Sequence, residues 1–102
     1  MKRPEILHAI RTVMHQRYPD VQVYLYGSEA RGEARSESDI DLLLLVNKDT
    51  IPMQEELALT SPLYDIELET GVVINPVVMP RKQWGRLATP FYVNVMKEKV
   101  AL

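Results

Sequence analysis

Cysteine is absent from the 102 residues, which excludes disulfides, thiolate nucleophiles and zinc-thiolate sites and leaves a reducing compartment compatible. A positive excess is absent too. Twelve Lys and Arg stand against fourteen Asp and Glu, a formal charge of −2, and the cations are scattered among the acids. A protein that grips nucleic acid through many phosphates carries a basic patch, so broad nucleic-acid binding is not expected. No apolar run approaches the roughly 18 residues that a membrane span needs. Met1-Lys2-Arg3-Pro4-Glu5 leads into an amphipathic pattern instead of the apolar core of a signal peptide, so the expected location is the cytoplasm, with no membrane partner. Repeats, low-complexity tracts and interdomain linkers are missing as well. Residues 1–102 therefore read as one domain with a single core and no separate substrate domain.

What is present is the composition of an ordinary globule, 46% hydrophobic and 25% charged, which argues against disorder. Ile6, Ala9, Ile10, Val13 and Met14 recur at three- and four-residue spacing and predict a helix from Pro4 to about Arg17. Val21, Val23 and Leu25 then alternate with polar or amphipathic neighbours, as in a strand that ends at Tyr26. Ser28 to Arg31 can make a short helical turn ended by Gly32. A second strand is expected at about 39 to 46, where Leu42-Leu43-Leu44-Leu45-Val46 implies burial on both faces.

Asn47 to Thr50 reads as a loop, with Thr50 a candidate cap and Pro52 an early helical residue. Residues 53–70 carry two signals: Leu59, Leu63 and Ile66 fit a helix stopped by Gly71, while Tyr64, Ile66 and Leu68 alternate as in a strand, and Pro62 would kink a helix or begin a second one. The helix is favoured. Val72 to Met79 reads as a third strand, with Pro76 pointing to an edge or a bulge. Arg81 to about Leu87 and Pro90 to about Glu98 read as two short helices.

The chemistry concentrates between the first two strands. Gly27 lacks a side chain, so its backbone can approach a phosphate, and the amides after Ser28 point at an anion. Arg31 and Arg35 can neutralise polyphosphate charge or pair with Glu29, Glu33 or Glu37. Beyond the ten residues that follow Ser28, Asp39 and Asp41 stand two apart, so a strand presents both on one face. Like charges at the edge of a buried strand call for a cation between them, and Mg²⁺ bridging phosphate oxygens meets that need. Tyr26, just before Gly27, is a candidate support for a base or ribose. His8 and His15 lie seven apart on the first helix with no acid cluster, and read as surface residues. Trp84 and Phe91 read as core.

The string Gly27-Ser28-Glu29-Ala30-Arg31-Gly32, followed by Ser38-Asp39-Ile40-Asp41-Leu42, resembles the signature of the DNA polymerase beta type nucleotidyltransferase superfamily, and most closely its minimal nucleotidyltransferase branch. The resemblance spans nearly the whole chain. It implies an α+β nucleotidyltransferase fold, a small mixed central sheet flanked by helices. It also implies a nucleoside triphosphate, such as ATP, on Gly27 and Ser28, beside which Arg31 is the candidate phosphate contact, and two Mg²⁺ ions on Asp39 and Asp41. In the superfamily a third carboxylate on a later strand completes the metal site; the matching place here carries Asn75, with Glu67 or Glu69 of the neighbouring segment as candidates to replace it, or, with Asp65, as a solvated face.

In the resembled branch the acceptor is often a tyrosine of a HEPN-type partner, silenced as a toxin. The expected function is therefore Mg²⁺-dependent transfer of AMP to a hydroxyl acceptor. With no second domain expected, the acceptor site is expected to be completed by a partner or by another copy of the chain. The alternative is a degenerate nucleotide-binding or antitoxin-like module that acts by contact alone.

Overall fold

The computed structural model describes residues 2–102. Helix α1 (Arg3–Arg17) precedes strand β1 (Gln22–Tyr26), a single helical turn α2 (Gly27–Ala30) and strand β2 (Ile40–Val46). Helix α3 (Met53–Thr70), strand β3 (Ile74–Pro80), helix α4 (Pro90–Glu98) and the two-residue strand β4 (Val100–Ala101) complete the chain. The sheet order is β3-β2-β1-β4. Strand β2 runs parallel to β3 and antiparallel to β1, which in turn pairs antiparallel with β4. The fold is thus α+β, with a mixed central sheet.

The leucine run explains the layers. Side chains alternate across a strand, so Leu42 and Leu44 enter the main core with Ile6, Ile10 and Met14 of α1 and Leu59 and Leu63 of α3. Leu43 and Leu45 face the other way, onto Val95 of α4 with Trp84 beside it. All four leucines are buried, each contributing about 1.5–3 kcal/mol. This central strand carries the acid pair at its start.

Residues 53–70 form one continuous helix, so the strand alternative for 64–69 and the break at Pro62 are both set aside. Proline at 62 removes the N–H that would bond the Ala58 carbonyl and normally disrupts a helix interior. Here the hydroxyl of Tyr18, at the end of α1, donates to that carbonyl at 2.9 Å. A residue forty positions away thus supplies the missing donor. Tyr18→Phe is expected to lower stability by about 1 kcal/mol, the worth of one partly solvated hydrogen bond. A urea midpoint that falls at unchanged slope would check it. Pro52, not Thr50, occupies the N-cap position of this helix, with no side-chain cap.

Strand β3 lies at the sheet edge, where Pro76 is tolerated. The helix expected over 81–87 does not form: Arg81 to Gly85 make turns, with the amides of Gln83 and Trp84 both donating back to the Pro80 carbonyl. Short helices depend on a buried face, and of the two large apolar residues in this stretch Leu87 is 75% exposed. Strand β4 is too short to have left a periodic signal.

Candidate functional site

The strand register aligns the candidate residues in a row. Tyr26 at the end of β1 lies opposite Asp41 on β2, and Asp41 lies opposite Asn75 on β3. Asp39, immediately before β2, shares the face of Asp41, as the two-residue spacing predicts. The Asn75 side-chain nitrogen donates to Asp39 Oδ2 at 3.1 Å and to Asp41 Oδ1 at 3.2 Å. Both carboxylates therefore converge on one position, held by a neutral donor that eases their repulsion.

Gly27 follows Tyr26 at a φ of 73°. A Cβ there would lie 2.5 Å from Asp41 Oδ2, a distance at which something must shift. The chain therefore passes closer to the acid than a residue with a side chain could without displacing it. That approach brings the Gly27 amide and the acid pair into one site, with Ser28 next along α2.

The Gly27 amide donates to Glu98 Oε1 at 2.8 Å, and Arg31 Nη1 donates to Glu98 Oε2 at 2.9 Å. Arg31 Nε also binds Glu33 Oε2 at 3.1 Å. The Arg31 hydrogen bond, and after it the Gly27 amide, hold the Glu98 carboxyl below the usual carboxylate range. Glu98, and next Glu33, raise Arg31 in turn. Arg35 is exposed in the loop before β2, its backbone amide bonded to Ser38 Oγ.

Neither Glu67 nor Glu69 joins the acid pair. Glu67 Oε1 accepts the Ile74 amide at 2.8 Å, tying α3 to the start of β3, and Glu69 is exposed. Among the described residues no group of three His, Cys, Asp or Glu is placed to hold a metal ion. His8 is exposed, and His15 Nε2 pairs with the Leu102 carbonyl at 2.9 Å.

The half-buried Tyr26 ring meets Phe91 edge-on at 5.5 Å, and Phe91 meets Trp84 at 5.9 Å. Phe91 is 41% exposed, a correction to its assignment as core, because its ring covers Tyr26 at the rim of the second face. Burial, and then the charge of Asp41, push the Tyr26 hydroxyl above its ordinary value.

Two residues escaped the sequence reading. Glu98 sits 71 positions from Gly27. Arg3, whose side chain is largely buried, pairs with Glu29 of α2 at 2.9 Å and reaches the Ser36 carbonyl at 3.3 Å. It fastens the turn after Gly27 and the loop before Asp39 to α1.

A family model described as the nucleotidyltransferase domain matches residues 7–102. The chain belongs to the nucleotidyltransferase domain family. Solved structures agree on the fold. A protein assigned as a minimal nucleotidyltransferase is 25% identical, with a TM-score of 0.67 over 100% of this chain and 97% of that one. A toxin-antitoxin crystal structure with AMP-PNP aligns at a TM-score of 0.63 and 20% identity, covering 92% of this chain and 69% of that chain. A protein assigned as a nucleotidyltransferase from Sulfolobus solfataricus gives 0.61 at 20% identity, over 95% and 76%. No curated protein matches the chain. In this nucleotidyltransferase domain no described helix is long and apolar enough to cross a membrane.

Proposed function

We propose that this domain transfers AMP from ATP to a hydroxyl acceptor, with the triphosphate on Gly27, Ser28 and Arg31 and Mg²⁺ on Asp39 and Asp41. The observation that carries the proposal is the convergence of both carboxylates on the Asn75 nitrogen, beside a glycine whose Cβ would strike one of them. The two carboxylates are hard oxygen donors, which suit Mg²⁺, an ion often held by one or two carboxylates together with substrate phosphates; Asn75 turns its nitrogen to them and would offer its carbonyl only after the amide turns over. When bound, Mg²⁺ neutralises phosphate charge and orients the α-phosphorus. The chain's own part is positional. The Gly27 amide and Arg31 fix the polyphosphate, while the acids fix its metal end, so that the acceptor oxygen bonds to phosphorus as pyrophosphate leaves.

The acceptor is placed on a partner, a tyrosine of a HEPN-type protein or a second copy of this chain. Support for a protein partner comes from the fold shared with a toxin-antitoxin structure. A second reading rests on Asn75, which supplies neither charge nor base where the superfamily has a third acid: a nucleotide-binding module that restrains its partner by contact.

Calorimetric titration of ATP with Mg²⁺ and then with EDTA tests the donor site, with Asn75→Asp run alongside. Binding in Mg²⁺ that is lost in EDTA is expected, together with transfer by Asn75→Asp raised on the order of 10²-fold, the scale of one well-placed electrostatic group. Absence of binding under both conditions would remove the donor-site reading.

A further inference from the structure

Both oxygens of the Glu98 carboxylate are engaged, one by the Gly27 amide and the other by the Arg31 guanidinium, at 2.8 and 2.9 Å. Those donors come from the turn after β1, whereas the acid comes from the last residue of α4. Two donors converging on the two oxygens of one anion form a charge-assisted clamp of the kind that also accepts phosphate. Glu98 is no bystander on the rim: its side chain is 21% exposed, against 65% for Glu33, the other acid on Arg31. Each acid also uses a different nitrogen of Arg31, Nη1 for Glu98 and Nε for Glu33.

We propose that Glu98 is a built-in competitor of the nucleotide, a carboxylate that occupies the phosphate clamp of Gly27 and Arg31 until a polyphosphate displaces it. The inference rests on the donor-site reading above and goes beyond it, because it assigns a role to an acid in another element. The backbone around Glu98 is anchored on both sides. Val95, three residues earlier, is buried against Leu43 and Leu45. Lys99, one residue later, lies over the Tyr24 ring at 4.3 Å, and Val100 pairs with Leu25. The carboxylate therefore leaves by turning about its own side-chain torsions while α4 stays docked. Glu33 keeps Arg31 Nε during the exchange, so the guanidinium remains in place and presents Nη1 to the incoming phosphate. Nucleotide-free protein is thereby held with its donors satisfied, and a weakly bound anion does not open the clamp.

The test compares ATP affinity, with Mg²⁺, of the wild type and Glu98→Gln, which keeps the shape and removes the charge. Loss of one charge-assisted competitor corresponds to roughly tenfold tighter ATP binding by the variant. In the nucleotide-free protein, Glu98→Ala is expected to shift the Gly27 amide resonance in a ¹⁵N–¹H correlation spectrum, and ATP is expected to shift the same resonance in the wild type. Equal or weaker ATP binding by Glu98→Gln, with the wild type binding normally, would overturn the competition and leave the donor site standing. A Gly27 resonance unmoved by Glu98→Ala would overturn the clamp itself. Failure of both proteins to bind ATP would overturn the donor site and the competition together.

Discussion

Asp39→Ala combined with Asp41→Ala is expected to abolish Mg²⁺-dependent ATP binding while leaving the fold intact. Asp39 is exposed and Asp41 half-buried, and neither belongs to the two apolar clusters that hold the sheet. Their carboxylates face the same nitrogen, so removing them also removes a like-charge repulsion. Asn75 is exposed and, with both acceptors gone, turns to water. Stability should change by less than about 1 kcal/mol, as for surface substitutions outside special sites, while affinity in Mg²⁺ falls to the level seen in EDTA. Urea denaturation and calorimetry on the same preparation check both halves. Marked unfolding of the double variant would contradict a metal-binding role, since it would make the acids structural.

Gly27→Ala is the second change with a large expected effect, and it acts by geometry. The added Cβ meets Asp41 Oδ2 at 2.5 Å, and the backbone φ of 73° disfavours any L side chain. Either the carboxylate swings away or the turn after β1 moves. A misplacement of about 1 Å can cost on the order of 10²-fold in rate, so transfer should fall by at least that factor. Gly32→Ala is the control. Its φ is 72° but nothing lies within 4 Å of the added carbon, so it carries the backbone strain, about 1–2 kcal/mol, without the collision. Transfer lost in Gly27→Ala and kept in Gly32→Ala, at similar stability, would attribute the effect to Asp41.

Much of this architecture was legible in the chain because the signals are local. The leucine run announced a strand buried on both faces, and its alternation explains why Leu42 and Leu44 part company with Leu43 and Leu45. The two-residue spacing of Asp39 and Asp41 predicts a shared face at the start of a strand, and both carboxylates do face the Asn75 nitrogen. Local signals failed where the decisive partner is remote. The continuity of α3 through Pro62 depends on a hydroxyl from Tyr18, and nothing near Pro62 announces it. Arg3 and Glu98 carried no sequence signal of their roles, since ion pairs between distant elements leave no periodicity. The helix expected at 81–87 illustrates the opposite error: local composition allowed it, but Trp84 alone packs on the core while Leu87 is exposed, too little apolar face to hold a short helix.

The two sides of the sheet are unequally secured. Behind β2, α1 and α3 share a continuous apolar cluster, while on the opposite side α4 is pinned mainly by Val95 against Leu43 and Leu45. Glu98 and the Phe91 ring both belong to that lightly fastened side. That side carries fewer buried side chains than the face covered by α1 and α3, and regions with few buried contacts open below the global unfolding free energy. The molecule separates a half that maintains the strand register through a broad apolar cluster from a half whose helix is held at a few points, Val95 in its last turn and Val100 just beyond it.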